Sequence, residues 1–299
     1  MYESRLFYPY YGQMRFVTNP SSTAVRTWAA DYHERLLNAN PLADGLFIDN
    51  SHGKLPFEGT PVKESVVSFT DDLAAMIDNV SRRVAPKWTV SNTAGSIAEA
   101  DGITAASSAA FEEFLLRPNS VNWSGLENVA SLVAERLAAD SPSPYLILDS
   151  YPDAKATTDP RTRSAVLAYY YLLADPDKTF LMFFGGYQPA AAWRSVFVPA
   201  ATADVGRPTA AMAVWATGTD PQRPDLTYKV YGREYGKALV LFKPTSFAPG
   251  KATGTTDDAT VTTHRLNGNY RVLNSDGTLG PSVTSVSLRN GEGVTLMKA

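Results

Sequence analysis

The chain contains no cysteine. That absence excludes a disulfide, a thiolate metal site and a cysteine nucleophile, although it leaves the compartment open. Histidine is scarce as well. His33, His52 and His264 are the only three, and they are too scattered to make a metal site, so no metal and no cofactor are expected. A net charge of -3, with no basic run interleaved with aromatics, lacks the electrostatic footprint of a nucleic-acid binder. No apolar stretch approaches the ~18 residues of a membrane span. The start, "MYESRLFYPYYGQMRF", lacks the charged-then-apolar layout of a signal peptide. The expectation is therefore a soluble chain with no nucleic-acid or membrane partner and no assigned compartment.

What is present has a clear rhythm. From about residue 14 to residue 200, short apolar strands alternate with helical patterns. "MRFVTN" (14–19) reads as a strand. Ser21 and Ser22 then offer N-caps for a helix over 23–39, with Val25, Trp28, Tyr32, Leu36 and Leu37 at the helical period. "GLFIDN" is the next strand. Val66 to Val84 carries a second helical stripe, stopped by Pro86. "KWTVSN" (87–92), "YLILDSY" (145–151) and "TFLMFFGG" (179–186) read as further strands. Between them lie "SIAEA", a segment after Gly102, a helix bearing Leu126, Val129, Leu132, Val133 and Leu137, and the helix "RSAVLAYYYLLA" (163–174). Strands alternating with helices imply βαβ units and a parallel sheet, and runs as apolar as "YLILD" fit a sheet covered on both faces. Beyond about residue 210 the pattern changes to β-rich runs with Asn267-Gly268 and Asp276-Gly277 turns, which predicts a small antiparallel β-sandwich. The expected organisation is an α/β domain over 1–209 and a β domain over 210–299.

Chemistry gathers at the strand ends. Asp49 and Asn50 close "GLFIDN", Asn92 closes "TVSN", Glu112 and Glu113 close the segment after Gly102, Asp149 closes "YLILD", and Tyr187 follows the Gly185-Gly186 pair. In a β/α barrel the C-terminal ends of the strands surround the active site. Two carboxylates and several polar groups there suit glycosidic bond cleavage, in which one carboxylate stabilises an oxocarbenium-like transition state and the other protonates the leaving oxygen. Plainer readings compete. A strand-end Asp often caps a helix or anchors a loop, as Asp149 before Ser-Tyr-Pro could, and one of Glu112 and Glu113 can simply face solvent. His52 could line a pocket, whereas His33 and His264 suggest no role. "FYPYYG" (7–12) and Trp123 are candidate stacking platforms for a sugar ring.

The same segments resemble the hypothetical glycosyl-hydrolase-like (β/α)8-barrel proteins with a C-terminal β-sandwich. "ADGLFIDN" is similar to their DG-hydrophobic-DN strand signature, and "FEEFLLRP" to their E-x-F motif. "YLILDSY" with "YYYLLADPDKTFLMF" resembles their closing strand-helix-strand, and the tail from "YKVYGREYGKALVLFKP" onward resembles their β-sandwich. The resemblance implies Asp49 as nucleophile or base and Glu112 as proton donor, with Glu113 in that role if the register shifts by one. It implies Asn50, Asn92 and Asp149 as substrate-positioning groups, joined by His52 and Tyr187, and an oligo- or polysaccharide as the partner. It also implies a departure, because the first two β/α units of such a TIM-type barrel have no counterpart here. A lost N-terminal segment or a second chain would then complete the barrel. The alternatives are a non-catalytic carbohydrate-binding or structural protein on a truncated barrel, and a metal-assisted lyase or aldolase using Asp49, Glu112 and Asp149.

Overall fold

The computed structural model describes residues 7–8, 15–16, 19–51, 66–93, 101–138, 145–150, 152, 156–183, 198–251 and 261–299. In chain order the elements are β1 (Phe7–Tyr8), β2 (Arg15–Phe16), α1 (Thr23–Ala39), β3 (Gly45–Ile48), α2 (Val66–Val84) and β4 (Trp88–Asn92). Next come α3 (Asp101–Ala105), β5 (Ala109–Glu112), α4 (Trp123–Arg136), β6 (Tyr145–Ser150), α5 (Pro160–Leu173) and β7 (Thr179–Phe183). The last six strands are β8 (Ala213–Thr219), β9 (Thr227–Glu234), β10 (Ala238–Lys243), β11 (Thr262–Leu273), β12 (Leu279–Leu288) and β13 (Glu292–Lys298). The architecture is α/β, with a five-stranded parallel sheet in the order β3-β4-β5-β6-β7 and a six-stranded antiparallel sheet in the order β12-β11-β13-β10-β9-β8. Among the described residues no helix is long and apolar enough to cross a membrane. Two compact units divide the chain, one of Met1–Glu113 with Ala138–Ile147, the other of Phe114–Leu137 with Leu148–Ala299.

In the first unit Ser22 caps α1, its side chain accepting the Val25 N–H. The buried face of α1 is Ala29, Ala30 and Leu37, packed with Leu46 of β3 and with Val80 and Val84 of α2. Of the apolar stripe expected to bind the core, only Leu37 is buried. Trp28, Tyr32 and Leu36 are 57%, 44% and 41% exposed. The two alanines explain the choice, because small side chains let the helix approach the sheet closely where a Trp face could not. Arg26 with Asp72, and Arg83 with Asp31 and Glu34, tie α1 to α2 on a separate flank.

β3 and β4 pair in parallel from Gly45↔Trp88 to Ile48↔Ser91, and β4 and β5 from Val90↔Ala109 to Asn92↔Phe111. Gly45 is required here, since a Cβ would collide with the Trp88 carbonyl. Alternation along a strand sends Leu46 toward the helices and Phe47 to the other face, where its ring meets Phe111 edge-on at 5.3 Å. "MRFVTN" departs from expectation. Of its described residues, Arg15–Phe16 are extended, and they pair antiparallel with Phe7–Tyr8 rather than joining the parallel sheet. A neighbour in sequence can be reached by a short turn, whereas a parallel partner needs a crossover. "SIAEA" and most of "FYPYYG" lie outside the described residues.

In the second unit Asn122 caps α4 and Asp159 caps α5, with Pro160 in the first turn where its missing N–H costs nothing. The antiparallel strands form one curled sheet where the turn spacing predicts two stacked ones. Val230, Leu239, Leu241, Leu266, Tyr270, Leu288 and Leu296 make its core. Helix α5 supplies the cover that a second sheet would give. Tyr169 stacks on Phe242 at 5.1 Å and Gly293 of β13 admits Ala168 on the face opposite that core, so β10 is covered on both sides and all of its residues are buried. Trp123 is a structural residue rather than an open platform. Its indole N–H donates to the Thr227 and Phe247 carbonyls, both at 3.0 Å, and Lys229 lies over its ring. Lys243 ends β10 fully buried, its ammonium 5.1 Å from the Tyr228 ring centre. Burial pulls its pKa down to about 8, against the opposing influence of Asp220 and Glu292.

Candidate active site

Three neighbouring strands of the first unit end in the same way. β3 runs into Asp49, β4 ends at Asn92, and β5 runs into Glu113. Parallel register sets these ends side by side. The Asn92 Nδ2 donates to Asp49 Oδ1 at 2.8 Å and to Glu113 Oε2 at 2.9 Å. Carboxylate oxygens can only be met there by N–H groups, so the orientation of the Asn92 amide is fixed by its neighbours. The two oxygens it joins lie no further apart than the sum of those bonds, 5.7 Å. The divergence of two N–H bonds on one planar nitrogen gives about 5 Å.

The surroundings hold this row in shape. Asn50 donates its Nδ2 to the second oxygen of Asp49 at 3.0 Å, so both Asp49 oxygens accept from amides. The buried Ser51 donates its N–H to the Asn92 carbonyl at 2.8 Å and its hydroxyl to the Ile48 carbonyl at 2.8 Å. Each carboxylate is followed by a residue with positive φ, Asn50 at 53° and Phe114 at 62°. Asparagine tolerates this region, but a phenylalanine there is an outlier that the surrounding structure must impose. In both strands the left-handed residue turns the chain directly after the carboxylate, leaving the acid at the rim of the sheet. Asp49 is exposed, Glu113 is half-buried and Asn92 is buried.

The adjacent glutamates separate sharply. Glu113 joins the row, whereas Glu112 is fully buried, and alternation sets it on the helix-facing side of β5. Asp149 belongs to the second unit, where its carbonyl accepts the Leu116 N–H at 2.8 Å and its Oδ2 the Phe114 N–H at 3.4 Å. These bonds secure the 114–116 turn. His52 and Tyr187 lie outside the described residues. His264 is buried beside the Thr262 hydroxyl, and the His33 Nδ1 lies 2.7 Å from the Ala29 carbonyl. Among the described residues no group of three His, Asp or Glu side chains is arranged to hold a metal. Sequence reading did not foresee the bridging position of Asn92, or the contribution of Ser51. Their only signal is a polar residue at or just beyond a strand end.

No protein-family model matches the chain, and no curated protein matches it in sequence. Solved structures do match. Amy13B of Eubacterium rectale is similar over 97% of this chain and 66% of its own, at 12% identity and a TM-score of 0.51. A GH36 alpha-galactosidase of Geobacillus stearothermophilus, solved with 1-deoxygalactonojirimycin, is similar over 99% and 41%, at 10% identity and a TM-score of 0.43. A glucosidase of Croceicoccus marinus is similar over 84% and 67%, at 13% identity and a TM-score of 0.34. The chain spans less than two thirds of the length of the first two. At 12% identity the Amy13B likeness shows a shared fold and no more. At their lower TM-scores the other two carry no argument.

Proposed function

We propose that this protein cleaves glycosidic bonds in an oligo- or polysaccharide with Asp49 and Glu113 as the working carboxyl pair, on a sheet that is part of a (β/α) barrel. The observation that carries the reading is the single amide of Asn92 bonded to both acids. A separation of about 5 Å matches the spacing of retaining glycosidases, about 5–5.5 Å, and is too short for the water of an inverting site. Asp49, oriented at the rim of the sheet by the amides of Asn50 and Asn92, acts as nucleophile at the anomeric carbon. Glu113, held at Oε2 by the Asn92 amide, is the acid and base of the pair. It protonates the leaving oxygen, then takes a proton from the water that releases the sugar from Asp49. Asn50 and Asn92 hold the nucleophile, and Glu112 and Asp149 remain supports of the scaffold.

The test is a panel of aryl glycosides and glycans, with the anomer of the first product read by NMR. Asp49→Asn should lower turnover by at least a thousandfold, and Glu113→Gln should lower it most for substrates with poor leaving groups. Full activity in Asp49→Asn, or an inverted first product, would end this assignment. A second reading, carbohydrate binding without turnover by a protein that needs another chain to complete its barrel, is favoured by a specific feature. The outer side of β3 has no strand partner among the described residues, and Trp28, Tyr32 and Leu36 lie exposed on the neighbouring helix. That reading predicts no turnover on any substrate of the panel.

A further inference from the structure

Helix α1 carries a second apolar face that its own fold leaves open. Trp28, Tyr32 and Leu36 recur every four residues and lie within about 40° of one line down the helix. Half-buried Val25 and exposed Ala39 extend the stripe at its two ends. The core face, Ala29, Ala30 and Leu37, is a different side of the helix. The flank toward α2 is different again, because Arg26, Asp31 and Glu34 make their ion pairs to Asp72 and Arg83 there. At about 100° per residue, Tyr32 points roughly opposite to the midpoint of those three. The stripe therefore faces away from α2. Leu46 of β3 packs against α1, and the outer side of that strand has no strand partner among the described residues.

The rings of this face are already ordered. Trp28 and Tyr32 stack at 5.5 Å with their planes 18° apart, and His33 braces Tyr32 edge-on at 5.3 Å. Pre-ordered side chains lose little freedom on association. At ~150–250 Å² for each aromatic side chain, the 57% and 44% exposed fractions of Trp28 and Tyr32 present roughly 200 Å². Two residues thus offer about a quarter of the ~800 Å² that each partner of a standard interface buries. A sugar ring is a poor occupant, because each aromatic ring spends one face on the other. The stripe continues through Val25, Leu36 and Ala39 rather than through amides or carboxylates. The surface suits another apolar helix, and it fits itself. Positions 28, 32 and 36 are spaced evenly about Tyr32. An antiparallel copy related by a two-fold axis at Tyr32 sets Tyr32 on Tyr32 and brings Trp28 level with the second copy's Leu36, a large side chain against a smaller one at each end. Arg35 is the exposed charged residue beside the stripe. In that arrangement it comes within about 1.5 Å of the level of the second copy's Trp28, on the same side of the interface. Its guanidinium meets an indole ring rather than a like charge, and the symmetry makes that cation–π contact twice.

We propose that the Trp28–Tyr32–Leu36 face of α1 is an interface with a second copy of this chain, the two helices packing antiparallel about Tyr32. The interface is separate from the carboxyl row and does not depend on the hydrolase reading. The test is sedimentation velocity of the full chain over about 1–100 μM. The native chain should sediment as a dimer with a Kd in the micromolar range. Tyr32→Glu, which sets two carboxylates against each other at the axis, should weaken it at least a hundredfold, and Arg35→Glu at least fivefold. The absence of cysteine provides a second readout. Under mild air oxidation Tyr32→Cys should form a disulfide-linked dimer at least tenfold faster than Thr27→Cys, an exposed position about 100° away from Trp28 around the helix. Asp49→Asn should dimerise like the native chain, which keeps this result apart from the outcome for the carboxyl row. A monomer at about 100 μM, a dimer unaltered by Tyr32→Glu, or equal cross-linking of the two cysteine variants would overturn the proposal.

Discussion

Replacing Asn92 by aspartate exchanges the amide that joins two acids for a third acid of the same shape. In the native row Nδ2 donates at 2.8 and 2.9 Å. The introduced carboxylate of Asn92→Asp would stand at those separations from two like charges. At about 3 Å each such contact costs ~1.4 kcal/mol in a water-like dielectric and several times more in a protein-like one. The exposure of Asp49 keeps the first value the better guide. Two contacts, with the loss of two charge-assisted hydrogen bonds and some side-chain relaxation, give a destabilisation of about 3 kcal/mol at pH 7. The sign of the pH dependence follows. Among like charges the introduced carboxyl holds its proton more readily in the folded chain than in the unfolded one. Its penalty is therefore complete at pH 7 and shrinks as pH falls toward ~4. Asn92→Leu removes the bonds without adding charge, so its deficit should change less over the same range. Urea unfolding followed by tryptophan fluorescence at pH 7, 5.5 and 4 reads both effects. A loss below ~1 kcal/mol at pH 7, or a deficit identical at pH 7 and pH 4, would refute the geometry of the row.

Lys243 provides a prediction at the alkaline end. Its pKa in the fold, lowered by burial to about 8, lies below its value in the unfolded chain, near 10.4. The unfolded state therefore holds more protons between these values, and stability should rise with pH across that window. Lys243→Met should remove this rise, about 2 kcal/mol, when unfolding free energies are compared at pH 8 and 10. An unchanged slope would count against the burial. His264 acts at the acid end. Burial, then the nearby Lys243 charge, lower its pKa, so stability should fall as pH drops below ~6.5, and His264→Gln should flatten that fall. Gly293→Ala would bring a Cβ to 2.5 Å from Ala168 Cβ of α5. The overpacking should cost about 1–3 kcal/mol by denaturant midpoint, and a neutral substitution would show that α5 and β13 are less closely packed.

Periodicity and punctuation in the sequence were enough to determine the alternation of elements. The helix over 23–39, the helix stopped before Pro86, the strand "GLFIDN" and the strand "YLILD" all stand at or within a residue or two of their expected bounds. These features are local. A 3.6-residue period, an N-cap serine or a run of β-branched residues acts through the nearest few neighbours. Tertiary structure alone decided which face each element buries and which strand ends meet. The helical period of α1 is equally compatible with burying Trp28 or Ala29, and only the closeness of β3 and α2 selects the alanines. Glu112 and Glu113 are one residue apart, and a strand's two-residue period sends them to opposite faces. The register of β4 against β5 then brings Glu113, and not Glu112, to the amide of Asn92. The single antiparallel sheet has the same kind of cause, since its turns are written locally while the helix that covers it lies forty residues or more upstream. Patterns within one segment can be read from the chain, but a contact between segments distant in sequence exists only once the folded backbone has set their register.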